Sequence, residues 1–221
     1  MIKKIISASL IAATALTTCV VIADEEMPSS DGIYIQLDAG TSLGRAPNSD
    51  FGKNKVGSSG LYGGEIGYQF NEYLRMGLGV DYRNQYSFSV TDSVPPGTAN
   101  TPWKVNSLAI MANFYYDITN NNGFIPYVVF GAGMAQNTVK DTIQTTSGGK
   151  STLIPGKKTN DFAYKAGLGV RYEISKNILA GLQYQYIDLG KIKSGTDANN
   201  TTANTGKLRA NEFLAVFTYK F

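Results

Sequence analysis

The 221-residue chain has no histidine and a single cysteine. Without histidine it lacks the usual general base near neutral pH and the commonest metal ligand. Serine or threonine would have to act without imidazole. Histidine-dependent deacylases, proteases and acyltransferases are therefore disfavoured, and no catalytic residue is assigned. Neither a metal nor a cofactor is expected. Three glycine pairs, Gly77-Leu78-Gly79, Gly131-Ala132-Gly133 and Gly167-Leu168-Gly169, lack the third glycine of a dinucleotide fingerprint. Each falls inside a strand pattern, where alternate glycines make room. Beyond Ile22 no window has the roughly 18 unbroken apolar residues of a membrane helix.

The cysteine, Cys19, lies in an N-terminal stretch that reads as a signal peptide over residues 1–23. Lys3 and Lys4 precede the apolar run Ile5 to Ile22, and Val21-Ile22-Ala23 suits a cut before Asp24. Two other readings stand beside it. One is an anchor helix, weakened by Ser7, Ser9, Thr14, Thr17 and Thr18. The other is lipidation at Cys19, for which Thr18 fits poorly. A mature chain of residues 24–221 has no thiol, which excludes disulfides and thiolate metal sites. It is one domain in length. Loss of Lys3 and Lys4 from 20 basic and 17 acidic residues leaves it near neutral, so net charge implies no nucleic-acid partner.

What the mature chain does have is a period of two. Leu74, Met76, Leu78, Val80 and Tyr82 alternate with Arg75, Gly77, Gly79, Asp81 and Arg83. The same split recurs from Ile33, Tyr62, Leu108, Phe162, Ile178 and Phe213. A further segment, Phe124 to Gln136, is apolar on both faces, with Val128, Phe130, Ala132 and Met134 assigned outward. The total is eight strands of about ten residues, the length a tilted strand needs to cross a bilayer. Short connections (Asn71-Glu72, Thr119 to Gly123, Ser175 to Asn177) alternate with long ones: Thr41 to Ser59, Asn84 to Lys104, Asn137 to Asn160 and Gly190 to Lys207. That layout predicts an all-β, eight-stranded antiparallel up-and-down transmembrane barrel with four long external loops and short periplasmic turns. A soluble eight-stranded barrel would place the apolar set inside. Three features favour the inverted arrangement. Aromatics cluster at both ends of the apolar face, as at two headgroup interfaces. The opposite face is small and charge-balanced, with Glu65, Asp81 and Glu212 facing Arg75, Arg83, Lys165 and Arg171 as an interior charge network. Finally, Phe217, Tyr219 and Phe221 sit at alternate positions where the last strand must pair with the first, since a sheet edge cannot face lipid.

The chain resembles the small outer-membrane β-barrel family of opacity-type surface antigens, with the OmpA membrane domain more distant. The resemblance rests on Gly32-Ile33-Tyr34-Ile35-Gln36-Leu37-Asp38-Ala39-Gly40, Pro126-Tyr127 with Gly131-Ala132-Gly133, Tyr184-Gln185-Tyr186-Ile187-Asp188-Leu189-Gly190 and Tyr219-Lys220-Phe221. It implies a bacterial outer-membrane location and an assembly signal, carried by Phe217, Tyr219 and Phe221, that the barrel-assembly machinery reads. It also implies a role as adhesin or surface antigen toward host surface or serum proteins. No further domain follows the barrel pattern, so cell-wall tethering is not carried over.

The long loops bear the remaining interaction signal. Their excess of lysine makes the display face basic although the chain is near neutral. The candidates are Lys140, Lys150, Lys157 and Lys158, with apolar Leu153, Ile154 and Pro155 as the alternative contact. Lysines near the membrane could equally bind lipopolysaccharide phosphates. The functional alternatives to adhesion are a structural barrel and a narrow pore.

Overall fold

The computed structural model describes residues 31–45, 57–94, 97–118, 123–149, 151–193, 195 and 205–221. The expected signal peptide, with Cys19, and Lys150 lie outside the described residues. Ten strands form one antiparallel sheet: β1 (Gly32–Arg45), β2 (Ser58–Gln69), β3 (Leu74–Val94), β4 (Gly97–Asp117), β5 (Phe124–Val139), β6 (Thr142–Thr146), β7 (Ser151–Ile154), β8 (Lys157–Ser175), β9 (Ile178–Lys193) and β10 (Thr205–Lys220). Eight of them close a ring. Each pairs with its neighbour in sequence, apart from the β5–β8 step, and β10 returns to β1. The closing register puts Ile35 opposite Tyr219, Leu37 opposite Phe217 and Thr41 opposite Phe213. Closure leaves the ring no edge, which is what permits strands in hydrocarbon.

The alternation sorts side chains as the period of two requires. Leu182, Tyr62, Leu168, Phe130 and Ile66 point out and are largely exposed, whereas Arg75, Arg83, Arg171, Glu212 and Asp117 point in and are buried. In β5, Phe130, Ala132 and Met134 face outward and Val128 is half-exposed. Glycines on the inner face make space. A side chain at Gly77 would meet the Glu65 carboxylate, and one at Gly169 would meet the Tyr127 ring.

The strands are longer than the ten residues that span a bilayer, and the extra length falls in the expected loops. β3 and β4 are 21 residues each, so the segment Asn84 to Lys104 is mostly a hairpin projecting beyond the membrane. Within Asn137 to Asn160, β6 and β7 form a second hairpin that pairs with β4 at Ala99 and Asn100. The reason is a change of polarity along one strand. Through the membrane, β4 turns Leu108, Ile110 and Phe114 outward. Above it, the outward positions are Asn100, Pro102, Lys104 and Asn106, and the inward ones are Trp103 and Val105. On β3 a register shift between Arg83 and Tyr86 inverts the phase. Tyr86 and Phe88 therefore turn inward after Tyr82 has faced out. Together with Val105, Val139, Ile154, Leu189, Ile192 and Leu208 they build an apolar core above the barrel.

Candidate functional site

The barrel interior is filled. Near the short turns, Arg75 donates from Nε and Nη2 to the two oxygens of Asp117, at 2.8 and 3.2 Å, and Arg171 adds a 2.7 Å bond to the same carboxylate. The Arg75 guanidinium also lies 4.1 Å from the centre of the Tyr115 ring, with Tyr34 and Tyr127 flanking it. At mid-height Glu65 accepts from the hydroxyls of Tyr34 (2.6 Å) and Tyr115 (2.9 Å) and from the Asn113 amide. Toward the loops, Arg83 and Glu212 form a two-pronged pair at 2.7 and 3.0 Å. Ser42 and Gln185 donate to the same carboxylate, each at 2.6 Å. Asp81 lies 3.6 Å from Arg83 and 3.7 Å from Lys165.

Six of the seven interior residues named from the sequence thus lie in ion pairs, four of them, Asp81, Arg83, Lys165 and Glu212, with one another. Arg75 and Arg171 share Asp117, which was not named. Glu65 is held by hydroxyls and an amide instead of a guanidinium. Asp117 carried a legible signal: it continues the inward phase of Asn113 and Tyr115. Tyr34 and Tyr115 also fall on the inward phase, but tyrosine suits either face of a barrel wall and nothing local marks them as partners of Glu65.

Above the lumen the apolar core closes the loop-side end. Ile154, expected as an exposed loop contact, is buried in it, whereas Ser151, Thr152 and Leu153 of the same strand are exposed, Leu153 at 62%. Just outside this core a groove of about 520 Å³ runs between the upper ends of β5 and β8. It is lined by Lys140, Asp141, Lys157 and Lys158. Lys157 pairs with Val139 and Lys158 with Thr138 across the ladder, which brings Lys140, 17 and 18 residues away by number, beside them. Asp141 is turned to the backbone, accepting from Gly156 N at 2.6 Å. Lys140 donates to Gln85 at 3.3 Å and remains exposed.

A closed antiparallel ring with an apolar, aromatic-banded exterior and a charged, plugged interior defines a small outer-membrane β-barrel. The chain belongs to the outer membrane protein beta-barrel domain family, whose match covers residues 8–221, and its place is the bacterial outer membrane. It is 29% identical over 221 residues to the outer membrane protein PagN of Salmonella typhimurium (strain LT2), covering 87% of this chain and 91% of that one. It is 27% identical over 203 residues to a Rickettsia bellii (strain OSU 85-389) protein named "Putative adhesin", covering 87% and 86%. Among solved structures it is similar to Neisserial surface protein A, with a TM-score of 0.56, 19% identity and 86% of this chain covered.

Proposed function

We propose that the protein is an adhesin, with the barrel as a rigid stand and the extended β3–β4 and β6–β7 hairpins as the display surface. The observation that carries this reading is the lysine-lined groove of Lys140, Lys157 and Lys158 at the top of the β5–β8 wall. Lys150, in the connection between β6 and β7, belongs to the same segment. Three exposed lysines line it, and the acidic neighbour Asp141 is engaged by backbone. Such a groove suits an acidic host glycan or protein, and long elements on a rigid scaffold are where binding usually resides. The naming of a relative as an adhesin supports the same reading. No enzymatic role is assigned. The filled lumen and its apolar cover weigh against the pore alternative. We assign Phe217 and Tyr219 of β10, with Phe221 just after it, to recognition by the barrel-assembly machinery.

The test is bacterial display. Cells carrying the wild-type protein should bind cultured host cells above an empty-vector strain, and Lys140→Gln/Lys157→Gln/Lys158→Gln should lose most of that binding. Wild-type binding should also weaken as salt rises. A parent strain that binds no better than the empty vector overturns the adhesin reading. Binding that survives the triple substitution moves the contact away from this groove.

A further inference from the structure

The outer wall carries a second feature, remote from the display surface. On the lipid-facing side, small residues on β1 and β10 leave a dent of about 630 Å³ between Phe213, Leu182 and Leu168. That is within the roughly 300–1,000 Å³ of ligand-sized sites. Ala39 stands opposite Ala215, and Ala215 opposite Leu182, so the floor is two methyl groups and the wall a leucine. Its lining is almost wholly apolar, as an acyl chain requires.

Directly above the dent, the same three strands place like charges opposite one another. Arg45 faces Arg209 across β1–β10, and Lys207 faces Lys191 across β10–β9. Like charges in directly opposed positions destabilise a sheet. Two such pairs stacked on one wall therefore call for anions. Two carboxylates supply part of the need. Asp188 accepts from Arg209 at 3.0 Å, and Asp161 accepts the backbone N–H of Lys191 at 2.8 Å. Among the described residues, four cations against two carboxylates leave an excess of two. Arg45 is not placed to reach either one. Its guanidinium instead leans onto the Tyr186 ring, 5.8 Å from the centroid. Asn211, with its amide oxygen turned toward Arg45, accepts at 3.1 and 3.2 Å and donates to the Tyr184 hydroxyl. Arg45 is thereby held toward the aromatic band, four residues along the strand above Thr41 at the upper rim of the dent.

Strand geometry sets the scale. Phe213 and Arg209 are four residues apart, about 13 Å along the strand. A lipid whose headgroup carries phosphate at the level of Arg45 would lay its chain beside Phe213 and over Ala215. From this we infer that the β1–β10–β9 wall is a binding site for one phosphorylated glycolipid of the outer leaflet. Arg45, Arg209, Lys207 and Lys191 take its phosphates, and the Ala39/Ala215 dent takes one of its acyl chains. The inference rests on the outer-membrane placement and not on the adhesin reading.

The test is native mass spectrometry of the full folded protein released from detergent micelles, with bis-phosphorylated hexa-acyl lipid A as the probe. The wild type should retain one lipid A after the detergent is stripped. Arg45→Gln/Lys207→Gln should cut the bound fraction about tenfold, and Ala39→Leu/Ala215→Leu, which fills the dent but keeps the cations, should cut it several-fold. Lys140→Gln/Lys157→Gln, on the display surface, should leave it unchanged. Dephosphorylated lipid A and phosphatidylglycerol should be retained poorly. Equal retention by the wild type and the Arg45/Lys207 variant overturns the inference; both residues are exposed, and heat-modifiable gel mobility checks that the variant keeps the fold. Equal retention of phosphatidylglycerol overturns it as well, because the wall would then be a general anionic-lipid surface. No host cell enters this experiment, so its failure leaves the adhesin reading standing, and the reverse holds too.

Discussion

The part of the barrel inside the membrane and the part above it are built on opposite plans. In the membrane, the interior holds a polar network beside small apolar clusters such as Leu61, Leu214 and Val216, and the exterior is apolar. Arg83, Glu212, Arg75 and Asp117 are fully buried, while Leu182 and Leu168 face out. Above it, Tyr86, Phe88, Trp103 and Ile192 are buried and Lys104, Lys140 and Lys157 face out. The same strands run through both regions. The difference shows that a β-strand's inner face is not set by hydrophobicity as such but by which face meets the poorer solvent. In lipid the outer face is already satisfied by apolar side chains, so the enclosed face holds polar groups that must satisfy one another. In water the enclosed face must be apolar, as in an ordinary soluble domain.

The comparison makes the two regions fail differently. Glu212→Ala should have the largest effect. It leaves the Arg83 guanidinium buried without its two-pronged partner, at a cost of about 3–5 kcal/mol. The urea unfolding midpoint in lipid vesicles should fall well below that of Lys176→Ala, an exposed turn control. If the two midpoints coincide, the lumen is wet enough to solvate Arg83, and the contrast between the regions is weaker than drawn. Ile192→Ala comes next, at about 2–5 kcal/mol for a large-to-small change in a packed core. Its effect should be confined to the upper region. Amide exchange in the β3–β4 and β6–β7 hairpins should speed up, while heat-modifiable gel mobility of the barrel stays unchanged. Loss of that mobility would mean that the upper core and the barrel form one cooperative unit.

Glu65→Ala should cost less than Glu212→Ala, about 1–3 kcal/mol. It removes an acceptor from two tyrosines and an amide but strands no guanidinium. A loss equal to that of Glu212→Ala would place Glu65 in the ion-pair network after all. The smallest effect is expected at the boundary, for Asp161→Asn. The Asp161 carboxyl is held below the ordinary carboxylate range by the N–H groups of Lys191 and Phe162. A lowered pKa in the folded state contributes stability above the unfolded pKa, and that contribution is lost as pH falls through the folded value. The variant should therefore be slightly less stable near neutral pH, by under about 1 kcal/mol at so exposed a site. It should converge with the wild type in strongly acidic solution. A gap that widens on acidification would contradict the sign.

Much of this was legible in the residues. The alternation Leu74 to Arg83 determined both that β3 is a strand and which residues line the lumen, because a strand in lipid must present an unbroken apolar face. The inversion at Lys104 and Asn106 was also written in β4, yet it reads as loop composition unless the strand is allowed to continue into water. Pairing was not legible. Arg75 and Arg171 share Asp117 because closing the ring and setting its register bring β3, β4 and β8 together, and no local pattern encodes that stagger. The phase slip after Arg83 was likewise hidden, since a bulge follows from the fit of two strands and not from one strand's sequence. The lysine groove and the opposed cations on the outer wall arise the same way, from residues far apart in the chain. The sequence by itself determined the strands, their faces and the medium each face meets, because those depend on solvent and on a period of two. The tertiary structure alone decided which charges meet, because that depends on the register at which the barrel closes.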